Sequence, residues 1–417
     1  MKPNFLFIIC HDLGQELGMY GHPTVESPML DGLAEEGVRF HNYFCASSPC
    51  SPSRGCIVTG RYAHNSGLMG LVNRGWDMPS KEKVLADYFN DLGYETYLFG
   101  FQHERKDRSA MGYKHLDQGS IYVDAVKDRV VNFLKSEDAS AKPFFAMVGT
   151  YEVHLPFNRP EYAPRKISPE KVYVHPFLKD TPEVREELSM LHGSVKFTDE
   201  NVGLILDCLK EQGLEDNTIV IFTTDHGCAI PRAKSSLFDA GIRTATIMKG
   251  PGIPKGKTFF ELLSNIDMLP TLLELAGGET FPEIQGKSFI NTIQGKDHES
   301  RQEIFAERNY HDNYDPMRCI RTERWKYIRS FEPKMNIPLP LDIERSPAGQ
   351  ALTSEDLVPR APEELYDLQN DPNEFNNLAY NMRYKHIRDD LESRLHRWMV
   401  ETNDPILHGS IPDAEHQ

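Results

Sequence analysis

The sequence predicts an α/β protein in which a large, mostly parallel sheet is sandwiched by helices and followed by a smaller C-terminal antiparallel sheet plus a helix. Three observations carry this expectation. Continuous apolar runs of buried-strand length recur through the first three hundred residues, amphipathic stretches ending in glycine precede most of them, and the texture changes near Gly295. Fully apolar strands that alternate with helices belong in a sheet covered on both faces, because a half-exposed strand would alternate polar and apolar side chains.

The elements follow in order. "NFLFIIC" (Asn4 to Cys10) is a buried strand, and "SPMLDGLAEEG" starts a helix at Ser27 with proline in its first turn and glycine at its stop. "KVLADYFNDLG" then "YETYLFG" reads as helix, glycine stop and strand. The unit recurs at "AVKDRVVNFLK" with "PFFAMVGTY", and at "FTDENVGLILDCLKEQG" with "TIVIFTTDHG". Beyond Gly295 come short aromatic strands, "EIFAE", "RCIRT" and "WKYIRSF", then a Pro-rich stretch from Pro333 to Pro362. "ELYDL" and a last amphipathic helix, "KHIRDDLESRLHRWMVET", complete the chain. A catalytic α/β domain over 1–295 and an α+β subdomain over 296–417 are expected, since single cores stop growing near ~250–300 residues.

Bulk properties narrow the function. A net charge of −16 over 417 residues opposes nucleic acid and other polyanions, so an anionic ligand needs a local basic pocket. No run approaches the ~18–20 apolar residues of a membrane span, and "NFLFIIC" is short for a signal-peptide core and is followed at once by His11 and Asp12. Seven scattered cysteines, an odd number without zinc-ribbon spacing, read as reduced thiols. These features give a cytoplasmic expectation with neither a membrane nor a nucleic-acid partner, and leave the oligomeric state open.

Polar groups stand where an open sheet collects its ligands, at the carboxyl ends of strands: "CHDLG", "TYEVHLP" and "TTDHG". Asp12, Asp225 and His226 make a divalent-metal set, or the aspartates serve as helix caps. In "CSPSR", Cys50 precedes a helix start beside Arg54, where amide groups and a guanidinium would lower a thiol pKa. The alternative is an inert buried cysteine.

Cys50-Ser51-Pro52-Ser53-Arg54 resembles the signature of type I, formylglycine-dependent sulfatases of the alkaline phosphatase superfamily. "PNFLFIICHDLG", "GRYAHNSGL", "GFQHE", "VHLPF", "IVIFTTDHG", "KSSLFDAGIRTATI" and "ELYDLQNDPNEFNNLA" follow in the order of that family over nearly the whole chain. "PMRCIRTERWKYIRSFEPKMNIPLPLDIERSP" and "LHRWMVETNDP" look like its sulfamidase branch, which favours a small anionic sulfated substrate of the heparan glucosamine type.

The resemblance implies an alkaline phosphatase-like fold and conversion of Cys50 to formylglycine by a formylglycine-generating or sulfatase-maturating enzyme. The hydrated aldehyde would attack sulfur, and its second hydroxyl would then expel sulfate without a separate water attack. Arg54 would orient the diol and His103 would take its proton, while His154 and Lys234 would bind the sulfuryl group and protonate the leaving atom. His11, Asp12, the side chain at Cys50, Asp225 and His226 would hold a divalent metal.

Three positions depart from the family pattern. His11 replaces an aspartate: calcium is the ion the family favours, and His11 either coordinates through nitrogen, which with His226 opens manganese or zinc, or points away and leaves the metal with fewer ligands. His226 stands where many members carry asparagine and resembles phosphonate monoester hydrolases, so a phosphonate or phosphate ester hydrolase is the alternative enzyme. Phe101 replaces a lysine, with Arg105 or Lys106 as candidate substitutes for the lost cation. That loss also admits a non-catalytic sugar-binding relative. "ERNYHDNYDPMR", Glu307 to Arg318, reads as a loop at the pocket mouth or as inter-domain packing.

Overall fold

The computed structural model describes residues 2–415. Its strands are β1 (Asn4–Cys10), β2 (Val38–Phe40), β3 (Tyr43–Phe44), β4 (Glu95–Gly100), β5 (His115–Leu116), β6 (Phe144–Gly149), β7 (Thr218–Thr224), β8 (Thr246–Lys249), β9 (Lys257–Phe259) and β10 (Leu263–Ser264). Four more, β11 (Glu303–Tyr310), β12 (Tyr314–Thr322), β13 (Trp325–Ser330) and β14 (Glu363–Asp367), lie beyond residue 300.

Eight strands form the main sheet in the order β5-β4-β6-β1-β7-β8-β2-β9. All pairings are parallel except those of β8, which runs against both β7 and β2. The expected α/β sandwich is what the chain forms, and the continuous apolar runs are its central strands. β1 shows why those runs are apolar throughout. Leu6, Ile8 and Cys10 enter one core with Val184, Leu188, Leu191 and Val195 of the helix Pro182–Glu211. Phe5, Phe7 and Ile9 enter the other with Leu85, Phe89, Leu269 and Leu272. Each fully buried side chain of this size stabilises the fold by about 1.5–3 kcal/mol.

The helix Pro182–Glu211 is thirty residues long, so the segment "FTDENVGLILDCLKEQG" is only its second half. Polar positions early in this helix concealed the first half; Glu187, Ser189, His192 and Ser194 are all buried. Asp199 is buried as well, and its carboxylate accepts from the amides of Met29 (3.1 Å) and Leu30 (2.8 Å). It thereby caps the helix Pro28–Glu36. Ser27, the expected cap, instead accepts from the Gly18 amide and donates to Asp31.

The second sheet is antiparallel in the order β11-β12-β13-β14. The final helix Lys385–Glu401 lays Leu391, Leu395 and Trp398 on Ile320, Tyr327 and Leu365. The segment Glu307 to Arg318 is strand, turn and strand rather than a loop. Glu307 and Arg318 are buried where the sheets meet, and Glu307 bonds the His64 ring at 2.8 Å. The Pro-rich stretch returns to the first sheet's layer. The Asp312 carboxylate accepts from the Leu341 amide, and Glu187 accepts from Ser346 and the Ala348 amide. All seven cysteines are buried and unpaired. Among the described residues no helix is long and apolar enough to cross a membrane.

Candidate active site

Strand order explains how residues distant in sequence meet. β4, β6, β1 and β7 are consecutive neighbours, and Gly100, Gly149 and Ile9 are in register across three of them. Cys10 lies opposite Thr224 in the fourth. The loops carrying Phe101 and His103, His154, His11 and Asp12, and Asp225 and His226 therefore leave one edge of the sheet side by side. Gly14 packs close under the last of these, where a Cβ would lie 3.0 Å from the Cys228 amide nitrogen and its φ is +58°.

Cys50 arrives from another direction, as the first residue of the helix Cys50–Thr59, all of which is buried. The Asn265 side chain donates to Ser53 Oγ (3.0 Å) and to its carbonyl (3.1 Å), and Ser53 donates to the Asp225 carbonyl, so the helix start is pinned to the second loop. Cys50 Sγ lies 3.1 Å from His226 Nε2 and 3.9 Å from Asp12 Oδ1. Burial alone would raise the thiol pKa, but His11, His226 and Lys234 draw it well below the usual range.

The carboxylates are held rigidly. Asp225 Oδ1 accepts from the amides of Asp12 (2.9 Å) and His226 (3.0 Å), and Oδ2 accepts from Arg54 Nε at 2.9 Å. Neither aspartate caps a helix among the described residues. Asp12 adopts φ 52°, a left-handed backbone that aspartate tolerates better than most residues. His11 Nδ1 bonds Asp12 Oδ1 and lies 3.5 Å from Asp225 Oδ2. Burial disfavours the charged ring, yet Asp12 and Asp225 raise its pKa to about 9.

His226 shows where a cation belongs. Its Nδ1 donates to the Gly227 carbonyl at 2.9 Å, and its Nε2 lies 2.9 Å from Asp12 Oδ1 and 3.1 Å from Cys50 Sγ; against burial, Asp225, Cys50 and Asp12 raise the ring's pKa well above its usual value, so a proton or a metal in its place must sit on Nε2. Lone pairs that converge in a buried space need a proton or a metal between them, and a backbone carbonyl on the far nitrogen is the usual support of a metal-bound imidazole. Ligand atoms of His11, Asp12, Cys50 and His226 all lie within 4.8 Å of one another. The residues, with their mixed nitrogen and oxygen donors, fit a divalent ion.

A basic face adjoins this cluster. Lys234, buried, lies 2.5 Å from both Asp12 Oδ2 and Asp342 Oδ2, and it donates to His154 Nε2 at 3.3 Å. Burial opposes the ammonium, but Asp12 and Asp342 hold its pKa well above the ordinary value. His154 Nδ1 donates to the Leu155 carbonyl, so its Nε2 is free to accept; burial and Lys234 lower this imidazole to about 4. His103 is less closely tied. Its ring lies 6.3 Å from His11 and 5.4 Å from Phe101, and its Nδ1 is buried without a hydrogen-bond partner.

Neither candidate substitute for the cation that Phe101 displaces is drawn into the site: Arg105 is spent on the carbonyls of Ala110 and Glu82, and Lys106 is exposed. The Arg54 guanidinium instead lies 4.8 Å from the centre of the Phe101 ring. Asp342 escaped the sequence reading because it sits in the Pro-rich stretch, where no strand or helix period marks it. Its only signal was membership of the "PLPLDIERSP" segment that resembles the sulfamidase branch.

Residues 3–278 match the sulfatase family, and residues 232–351 match the C-terminal region of N-sulphoglucosamine sulphohydrolase. An ulvan-active sulfatase of Formosa agariphila is 30% identical over 98% of this chain and 82% of its own. Human N-sulphoglucosamine sulphohydrolase is 27% identical over 96% of this chain and 91% of its own. In fold, the phosphonate monoester hydrolase of Agrobacterium radiobacter superposes with a TM-score of 0.76 at 20% identity, covering 96% of each chain. The chain belongs to the sulfatase family of alkaline phosphatase-like hydrolases, and its activity is that of a sulfuric ester hydrolase.

Proposed function

We propose that the protein hydrolyses a sulfate ester or N-sulfate of a small sulfated sugar, with heparan-type glucosamine favoured, through a formylglycine hydrate made from Cys50. The observation that carries this reading is the position of Cys50: a buried helix-start cysteine 3.1 Å from His226, beside Asp12 and within the reach of Lys234's field. In the reading, the Cys50 sulfur marks where the oxygens of the aldehyde hydrate would stand. Asp12, Asp225, His226 and position 50 would hold a divalent ion, with His11 as a further donor. When bound, the ion supplies Lewis-acid polarisation of the nucleophile and a sulfuryl oxygen.

The chain's own residues do the rest. Arg54, clamped by Asp225 and covered by Phe101, orients the diol, and the unpartnered His103 Nδ1 accepts its proton as sulfate departs. The Lys234 ammonium and the neutral His154 imidazole face the sulfuryl group, a local cation with its acceptor that offsets the repulsion of a chain carrying −16. His154 Nε2 accepts from Lys234 and passes a proton to the leaving atom. Glucosamine is favoured because the C-terminal match, 232–351, spans Lys234 and the segment around Asp342.

A phosphonate or phosphate ester hydrolase is the second reading, supported by His226 and by the fold likeness to the Agrobacterium enzyme. Side-by-side turnover of glucosamine N-sulfate, an aryl sulfate, an aryl phosphate and a phenyl phosphonate ester decides between them. Sulfate turnover that exceeds both phosphorus rates and is lost in Cys50→Ala is expected. Phosphorus turnover above sulfate turnover would overturn the first reading.

A further inference from the structure

We propose that Asp342 is a specificity-determining residue whose carboxylate accepts the N–H of an N-sulfated substrate at the atom that leaves sulfur. The inference rests on the sulfatase reading above and adds which bond is cleaved best.

Asp342 Oδ2 lies 2.5 Å from Lys234 Nζ and 3.6 Å from His154 Nε2, the two groups that face the leaving atom. Unlike Asp12, which is fully buried, Asp342 keeps 22% of its side chain exposed. Lys234 also lines a cleft of about 250 Å³, with Phe177, Arg232, Phe238, Leu339 and Pro340 among its walls. The carboxylate therefore adjoins the proton donors and stands two residues beyond Pro340 in the cleft wall.

Its position is built rather than incidental. Asp312, itself bonded to Arg74 at 2.6 Å, accepts from the Leu341 amide on one side of Asp342. On the other, Glu187 accepts from Ser346 and the Ala348 amide, and Asp342 Oδ1 accepts from the Ile343 amide. Anchors on both flanks hold the side chain where a recognition group needs to be.

A carboxylate at the mouth of an anion site is costly unless a donor meets it. The atom that joins sulfur to the sugar differs in this respect between the two substrate classes: an ester oxygen has only lone pairs, whereas a sulfamate nitrogen carries a hydrogen. Asp342 repels the first and accepts from the second, and after S–N cleavage it faces the amine that His154 has protonated. A site built around such an acceptor disfavours the analogue that lacks the donor, because the ester oxygen's lone pairs then face the carboxylate with no hydrogen between them. Asp12 meets Lys234 at the same distance but is fully buried, and His154 Nε2 accepts from Lys234, so of the groups around Lys234 it is the part-exposed Asp342 carboxylate that an entering N–H can reach.

The test uses full-length protein with formylglycine at position 50 verified by mass spectrometry. kcat/KM is measured for glucosamine N-sulfate and for an aryl sulfate ester in wild type, Asp342→Asn and Asp342→Ala, with circular dichroism confirming the fold of each variant. Both activities are expected to fall in the variants, because Lys234 loses a partner. The N-sulfate to aryl-sulfate ratio is expected to fall by about 10- to 100-fold, as for loss of a hydrogen bond to a charged group. An unchanged ratio overturns the inference. Wild-type turnover of the aryl ester without the N-sulfate also overturns it while leaving the sulfatase reading standing. Turnover of neither by the formylglycine form defeats both.

Discussion

Arg54 stacks its guanidinium over Phe101 at 4.8 Å while its Nε is held by Asp225 at 2.9 Å. In this chain an aromatic face, rather than a second cation, fixes the arginine beside position 50. A cation over a desolvated ring is worth about 1–2 kcal/mol. Phe101→Leu keeps the apolar cover but removes the π face, and is expected to lower kcat about 5- to 30-fold with little change in melting temperature. Steady-state kinetics with thermal unfolding checks this, and an unchanged kcat would mean the stack is only packing.

The donor set sets the ion. With imidazoles at His11 and His226, purified protein is expected to retain manganese or zinc over calcium. His11→Asp restores a third carboxylate and should shift retention toward calcium, read by elemental analysis after dialysis against equal concentrations of the ions. Chelator treatment should abolish turnover, and readdition of manganese or zinc should restore it more fully than calcium.

A separate histidine group governs acid stability. His192 is buried in the long helix with its Nδ1 unpartnered, and burial, reinforced by His22, lowers its pKa to about 4. Glu16 and His175 are the other charged groups facing this group of rings. Because the folded pKa lies below the unfolded value, the unfolded chain binds the proton first as pH falls. Stability from this site is complete above about 6.5 and is lost on the way down to about 4. His192→Leu should flatten the stability profile by about 2 kcal/mol between pH 6.5 and 5, measured by urea unfolding of both proteins at each pH. Parallel profiles would exclude His192 as the source.

The joint between the two sheets depends on paired charges without water. Arg318, fully buried, bonds Asp404 at 2.8 Å through Nη2 and lies 3.7 Å from Glu307, which in turn holds His64. Removing one member strands the others, at a cost of about 3–5 kcal/mol. Arg318→Met should lower stability by that amount, and adding Asp404→Leu should recover part of it. A full sum of the two single losses would contradict the pairing.

The sequence made the main sheet legible because its central strands are apolar on both faces, and Asn4–Cys10 and Thr218–Thr224 could be nothing else. Several of the chemical residues were legible for the same reason: His11 and Asp12, His103, His154, and Asp225 and His226 follow such strands, and the order β4-β6-β1-β7 delivers them to one edge, whereas Cys50 and Arg54 were legible from their helix-start motif. β8 was hidden, since a four-residue strand running antiparallel leaves no period to read. The first half of the long helix was masked by its buried polar side chains, and the turn between β11 and β12 was mistaken for a loop because its strands are rich in buried charge. Asp342 lay in a proline-rich segment whose placement is set by contacts with Asp312 and Glu187, which are tertiary and leave no local pattern.

The most direct test is peptide mass spectrometry of residue 50 in protein co-produced with a formylglycine-generating enzyme, combined with turnover of a sulfated substrate on the same preparations. The account predicts the aldehyde or its hydrate at Cys50, with activity rising in proportion to the converted fraction and absent from Cys50→Ala. Full activity in protein whose Cys50 remains an unmodified thiol would contradict it.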